Sequence, residues 1–276
     1  MTPGDECILD NQPLVVTDLD GTLWFEGETC HQKSLNAFSE LQKQGIPILV
    51  ATGRRLRIVA DTFKRLDWKV PCLLLNGSLC YNFHTNQTLF STPFSEQESM
   101  SILEVFMAND LSPTVYADDS YVYAKNPTTS NGHVEAIGSD LIHTEGLNVY
   151  NQGLKVLNFC ILGVPKTDLE NLVAELQSTG LCNPSFYKDK LFGGYSVTVQ
   201  PRDVSKWSGV TQWCEIEDFK PARIVTVGDA GNDLEMLTNA DTAIVVEGAE
   251  QRLLDLANHV IKGPEVGGWA EILELL

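Results

Sequence analysis

The stretch Leu14-Val15-Val16-Thr17-Asp18-Leu19-Asp20-Gly21-Thr22-Leu23 decides the reading of this chain. Its first four residues are a short apolar, β-branched run of the kind that makes a buried strand. Two carboxylates one residue apart follow at once, and Gly21 lets the chain turn back sharply. Such an acid pair alone also reads as a loop cap, because Asp favours turns and helix starts. Its meaning depends on what stands at the ends of the other strands.

Outward from this stretch, strands and amphipathic helices alternate. Ser34 is placed to cap a helix carrying Leu35, Phe38 and Leu41, and Gly45 stands where that helix should stop. Residues 46–51 form a predicted strand, 54–66 a helix through Leu56, Val59, Phe63 and Leu66, and 72–75 a third strand. The rhythm returns late in the chain: strand 223–227, helix 233–237, strand 242–246, helix 250–258 and a closing helix over 269–276. Strands joined by single helices imply right-handed crossovers and a parallel sheet. Between the halves, strands at 113–117, 121–124, 156–164 and 195–199 are separated by only two clear helices, near 100–107 and 169–176, with a loop expected over 128–138. The predicted architecture is therefore α/β: a Rossmann-like parallel core of residues 12–81 and 196–276, interrupted by an inserted α+β domain of 82–195.

In such a core, ligands gather beyond the carboxyl ends of the strands. Four consecutive strand ends there carry Asp18-Leu19-Asp20-Gly21-Thr22, Thr52-Gly53-Arg54-Arg55, Asn76-Gly77-Ser78 and Gly228-Asp229-Ala230-Gly231-Asn232-Asp233. Gly53 opens a helix and leaves backbone N–H groups free, a common way to hold a phosphate. Asp229 and Asp233, four residues apart at a strand-to-helix turn, are mutually repulsive unless a cation lies between them.

Composition narrows the function classes. The chain has 276 residues, 19 Lys+Arg against 37 Asp+Glu, and a formal charge of -18, which opposes attraction to nucleic acid or anionic membranes. No nucleic-acid or membrane partner is expected, and no apolar run approaches the ~20 residues of a span. Residues 1–11 carry no basic leader region, and the seven cysteines, without a C-x-x-C pair, read as thiols in a reducing compartment, so a cytoplasmic protein is expected. The five histidines have no metal-like spacing. No G-x-G-x-x-G follows a strand, and no G-x-x-x-x-G-K-[ST] occurs, which argues against a dinucleotide or P-loop enzyme.

The ordered set Asp18-Leu19-Asp20-Gly21-Thr22-Leu23, Ala51-Thr52-Gly53-Arg54, Ser205-Lys206 and Gly228-Asp229-x-x-Asn232-Asp233 resembles the four motifs of the haloacid dehalogenase superfamily of phosphotransferases. The long insert after Asn76-Gly77 resembles the large type 2 cap of its Cof-type branch. The ending Gly263-Pro264-x-x-Gly267-Gly268-Trp269-x-Glu271-Ile272-Leu273 is similar to that of mannosyl-3-phosphoglycerate phosphatases, with sucrose-phosphate phosphatases as neighbours. Trp207 stands where Cof-type sequences usually carry a glycine.

This resemblance implies a Mg²⁺-dependent phosphomonoester hydrolase acting on a small phosphorylated sugar or glycosyl phosphoglycerate. Asp18 would be the nucleophile that becomes an aspartyl phosphate, Asp20 the general acid and base, and Lys206 the cation that steadies Asp18 and the developing charge. Thr52, Gly53, Arg54, Asn76 and Asn232 would bind the phosphate. The Asp18 carboxylate, the Asp20 main-chain carbonyl, Asp229 and Asp233 would hold Mg²⁺. Lys188, with Lys155 and Lys190 beside it as candidates, would read the rest of the substrate from the cap. A phosphosugar mutase and a non-catalytic sugar-phosphate binder remain as alternatives, and the expected state is a monomer or weak dimer.

Overall fold

The computed structural model describes residues 12–276. Cys7 and the expected absence of a basic leader region over 1–11 fall outside them. The apolar run at the start becomes β1 (Pro13–Thr17), followed by a two-residue hairpin, Trp24–Phe25 with Thr29–Cys30. Then come α1 (Gln32–Lys43), β2 (Ile48–Ala51), α2 (Leu56–Leu66) and β3 (Pro71–Leu74). A hairpin of β4 (Leu79–Asn82) and β5 (Gln87–Ser91) leads out of this part. The inserted part holds α3 (Glu96–Ala108), β6 (Thr114–Ala117), β7 (Val122–Ala124), α4 (Asn131–Ile137), β8 (Leu141–His143), β9 (Val156–Val164), α5 (Lys166–Thr179), β10 (Cys182–Lys188) and β11 (Tyr195–Pro201). The chain returns through α6 (Lys206–Ile216), β12 (Arg223–Gly228), α7 (Leu234–Asn239), β13 (Thr242–Val246), α8 (Gln251–Leu254) and β14 (His259–Ile261).

The first sheet runs in the order β14-β13-β12-β1-β2-β3-β4-β5, parallel as far as β3, with the β4 and β5 hairpin adding two antiparallel strands at one edge. Period-2 alternation sorts its side chains. Val15, Ile48, Val50 and Cys72 pack with Phe38, Val59, Phe63 and Trp269 on one face. Leu14, Val16, Leu49 and Leu73 pack with Val210, Trp213 and Met236 on the other. The second sheet runs β8-β7-β6-β9-β11-β10 and buries Val115, Phe159 and Val197 against Ile102, Phe106, Leu169 and Leu172 of α3 and α5. Among the described residues no helix is long and apolar enough to cross a membrane.

Several expected details differ. The first sheet continues to Ser91 and the second-sheet strand β11 runs to Pro201, so the seams fall later than 81/82 and 195/196. The antiparallel β4 and β5 pair explains the first shift, since a hairpin extends a sheet without any crossover helix. Ser34 lies buried inside α1 instead of capping it: the His31 Nδ1 accepts from the Lys33 amide at 3.1 Å and starts the helix earlier. The expected loop at 128–138 contains α4, capped by the Ser130 hydroxyl on the His133 amide and anchored by buried His133 and Ile137. The closing helix is a 3₁₀ segment, Gly268–Glu274, and the 250–258 helix shrinks to α8. In the tail resembling a substrate signature, Trp269 is fully buried and its indole N–H donates to Thr17 Oγ1 at 2.9 Å, so this residue fastens the chain end under β1.

Candidate active site

β1, β2 and β12 are parallel neighbours, so the turns after them open on one sheet edge. Asp18 continues the ladder, its amide donating to the Val227 carbonyl at 3.0 Å, and this sets its carboxylate beside the turn after β12. The turn is crowded. Gly21 has φ +81°, and a Cβ there would stand 2.4 Å from Asp229 Oδ2, so a larger residue would be strained and would displace the Asp229 carboxylate. A Cβ at Gly228 would meet Asp233 at 2.7 Å. Thr22 Oγ1 donates to Asp229 Oδ1 at 3.2 Å across the same gap.

Lys206 sits at the centre, fully buried at the start of α6. Its Nζ lies 2.5 Å from Asp18 Oδ1 and 2.6 Å from Asp233 Oδ1. Burial alone would lower the Lys206 pKa; Asp18 and Asp233 outweigh it and hold the ammonium charged. The other oxygen of Asp233 accepts from the amides of Asp229 and Ala230 at 2.9 and 3.0 Å. Trp207 does not prevent close packing here, because Gly209 supplies it: a Cβ there would sit 3.0 Å from a Leu73 methyl.

Asp18, Asp229 and Asp233 bring carboxylate oxygens within 4.8 Å of one another, all three buried. Burial, only partly opposed by Lys206 and reinforced by Asp233 and Asp229, pushes Asp18 well above the usual carboxylate range. Burial likewise pushes Asp229 up to about 6, against the pull of Lys190 and with Asp233 adding to the rise. Three acids facing one buried lysine form a site that a further cation would relieve. The Asp20 carboxylate is not in this cluster. Arg54 grips it with Nε–Oδ2 at 2.7 Å and Nη2–Oδ1 at 2.6 Å, while Nη1 holds Glu28 at 3.0 Å.

The remaining expected residues line up behind these. Thr52 Oγ1 accepts from the Arg54 amide at 3.1 Å. Asn76, in a left-handed conformation with φ +55°, donates to Thr198 Oγ1 and accepts from Asn232 Nδ2, both at 3.0 Å. Gly53 lies beneath this amide pair, 3.2 Å from Asn76 Oδ1 to a would-be Cβ. Lys188 borders the cavity above the cluster, whereas Lys155 is exposed just before β9 and is not among the residues lining that cavity. Lys190 reaches farthest in, with Nζ 2.6 Å from Asp229 Oδ2.

The cavity between the two sheets has a volume of about 840 Å³. A second cleft, of about 500 Å³ beside Leu56, Phe63 and Trp68, contains none of these carboxylates. Sequence reasoning missed the clasp that closes the cavity's flank: buried Arg55 binds Asp140 Oδ2 at 2.5 Å and Arg57 binds Asp140 Oδ1 at 3.0 Å. Partners 85 residues apart leave no periodic trace in the sequence. Tyr187 was also missed, though its position next to Lys188 and Lys190 at the end of a strand was a usable signal.

Residues 15–273 match the family of haloacid dehalogenase-like hydrolases. The chain belongs to that family. This hydrolase is 23% identical to the pyridoxal phosphate phosphatase YbhA of Escherichia coli, over 90% of this chain and 92% of that one. It is equally 23% identical to a phosphoglycolate phosphatase of Methanopyrus kandleri, with 95% and 96% covered. The fold matches that of a haloacid dehalogenase-like hydrolase from Bacillus subtilis with a TM-score of 0.81 at 17% identity, covering 95% of this chain and 99% of that one. It also matches the subclass IIB sugar phosphatase BT4131 with a TM-score of 0.76 at 17% identity, covering 96% and 98%. The chain is a phosphatase of this family.

Proposed function

We propose that the enzyme is a Mg²⁺-dependent phosphomonoester hydrolase that works through an aspartyl phosphate on Asp18, with the inserted sheet as a cap over the leaving group. The observation that carries this reading is the Lys206 ammonium, buried between Asp18 and Asp233 and leaving one Asp18 oxygen without a hydrogen bond from the described residues. That oxygen attacks phosphorus, the bond from phosphorus to the leaving oxygen breaks, and its electron pair goes to that oxygen. Asp20, aimed by Arg54, delivers the proton it needs. Water then attacks the aspartyl phosphate, Asp20 takes its proton, and the Asp18 carboxylate is released together with inorganic phosphate.

Asp18, Asp229 and Asp233 fit a hard divalent cation, because all their donors are oxygen and Lys206 and Lys190 together balance only two of three charges. They would hold Mg²⁺, with the main-chain carbonyl of Asp20 as a further ligand. When bound, that ion offsets the repulsion between the nucleophile and the phosphate dianion. Thr52, the amides that follow it, and Asn232 face the non-transferred oxygens in this reading.

A glycosyl phosphoglycerate would need cations for its extra carboxylate. Along the cavity Arg54, Arg55, Arg57 and Lys190 are each paired with an acid, and Lys188 alone among the lining Lys and Arg side chains has no ion pair among the described residues. The reading therefore stops at small organic phosphomonoesters, with pyridoxal 5′-phosphate a candidate because of the relative named for it. A mutase would need a second phosphate site, for which the lining leaves only Lys188 without an acid partner among the described residues. The test is phosphate release from acetyl phosphate and a panel of monoesters. Turnover should vanish with exhaustive chelation, return with Mg²⁺, and fall by at least about a thousandfold in a folded Asp18→Asn variant. Appreciable activity in that variant, or after chelation, would overturn the reading.

A further inference from the structure

The cap wall of the cavity poses a question that the phosphoryl chemistry leaves open: what kind of alcohol leaves. The answer rests on the hydrolase reading above. Most of the cavity's polar side chains are already engaged with one another. Arg54 holds Asp20 and Glu28, and Asp140 is shared by Arg55 and Arg57. Asp189 accepts from the amides of Leu191 and Phe192 at 2.8 Å and from the Ser196 hydroxyl. Glu26, Asp61, Glu247 and Glu265 are exposed at the mouth.

Apart from Lys188, exposed at its border, the interior surface that remains is mainly ring and hydrocarbon, with Tyr116, His133, Ile137, Leu162, Tyr187 and Phe192 on the cap side. His133 belongs to this uncharged set. Its Nε2 is 2.7 Å from the Tyr116 hydroxyl and its Nδ1 2.7 Å from Thr129 Oγ1. Burial, with Arg55 nearby, pushes its pKa down to about 4, so the ring is neutral at physiological pH. Phe192 lies against it with ring centroids 5.3 Å apart. Tyr187 stands on the turn after β12, its Cβ 3.1 Å from a would-be Cβ at Gly231, and its hydroxyl has no hydrogen-bond partner among the described residues. Burial, then Asp189, hold that hydroxyl protonated, so it remains a donor in the cavity that Asp18 and Asp20 also line.

A polyol such as a sugar needs a matched acceptor or donor for nearly every hydroxyl, since an unmatched buried polar group costs about 1–3 kcal/mol. Apart from the exposed Lys188, this wall offers one unpaired hydroxyl donor and several ring faces. A planar aromatic ring meets the opposite demand: it gains from contact with aromatic surface and needs few hydrogen bonds.

We propose that the cavity selects an aromatic leaving group: the preferred substrate is the phosphomonoester of an alcohol borne on a planar, heteroatom-containing ring, with Phe192 and Tyr187 as its specificity-determining residues. The ring packs against Phe192, and the Tyr187 hydroxyl donates to a ring substituent or ring nitrogen.

The experiment measures kcat/KM of the full chain with Mg²⁺ on pyridoxal 5′-phosphate, glucose 6-phosphate and acetyl phosphate. Pyridoxal 5′-phosphate should exceed glucose 6-phosphate by at least about tenfold, the scale of one aromatic contact. Phe192→Leu, which keeps apolar volume but removes the ring, should lower the ratio of pyridoxal 5′-phosphate to acetyl phosphate by about three- to tenfold, mainly through KM. Phe192→Tyr should restore the ratio. A preference for glucose 6-phosphate, or equal losses on both substrates in Phe192→Leu, would overturn the inference while leaving the hydrolase reading intact. No phosphate release even from acetyl phosphate would overturn both.

Discussion

His133 should make the protein lose stability in mildly acidic solution by an amount that can be isolated. The residue is 3% exposed, clamped between two hydroxyls, and its pKa is pushed down to about 4 from an unperturbed 6.5, first by burial and then by Arg55. Between these two values the unfolded chain binds a proton that the native state does not, so native stability rises with pH there. The contribution is fully present above pH 6.5 and is lost as pH falls toward 4. The gap, at about 1.4 kcal/mol per pH unit, comes to roughly 3 kcal/mol, of which about 2.5 kcal/mol is gone by pH 4.5.

Many carboxylates titrate over the same range, so the measurement must be a difference. Urea denaturation of wild type and His133→Gln at pH 7.5, 6.0 and 4.5 supplies it, because the common groups cancel and the glutamine cannot take up a proton. The wild type should be the more stable at pH 7.5, since Tyr116 and Thr129 keep their partner, and that lead should shrink by about 2.5 kcal/mol by pH 4.5. Parallel pH profiles for the two proteins would refute the reasoning, because they would mean that the native imidazole accepts a proton as readily as the unfolded one.

Asp20→Asn should lower kcat by more than about a hundredfold on glucose 6-phosphate and by less than about tenfold on 4-nitrophenyl phosphate, whose leaving group departs without a proton. Equal losses in steady-state assays would remove Asp20 from the acid role. Gly77→Ala should destabilise by more than about 3 kcal/mol in urea denaturation, because the residue has φ +99° and its new Cβ would stand 2.2 Å from the Ser205 carbonyl oxygen. A change below about 1 kcal/mol would show that the start of α6 can yield there.

The core of the site was legible in the sequence because its residues follow strands. Asp18, Thr52 and Asp229 each come directly after an apolar, β-branched run, and a parallel sheet delivers such positions to one edge. What was not legible depends on contacts between distant segments. Arg54 looks like a phosphate ligand from its motif, and only the fold brings Asp20 and Glu28 onto it. Asn131-Gly132 reads as a turn, yet Ser130 caps a helix there because burying His133 and Ile137 outweighs the local preference of the glycine. The β4 and β5 hairpin hid behind its short strands, and the clasp of Arg55 on Asp140 joins residues that no local pattern relates.

The pairing of β1 with β12 carries a consequence for the newborn chain. Thr22 and Asp229 touch although they stand 207 positions apart, so the strand that leads into Asp18 leaves the ribosome long before the strand that completes the acid cluster. At translation speeds of about 5–20 residues per second, that interval is roughly 10–40 s. Throughout it β1 has β2 on one side and nothing on the side where β12 belongs, while α3 to β11 can already assemble their own sheet and core. The first sheet thus stays incomplete until the last quarter of the chain has been made. A chain broken off anywhere before β12 holds Asp18 without Asp229 and Asp233, and so without the acid cluster.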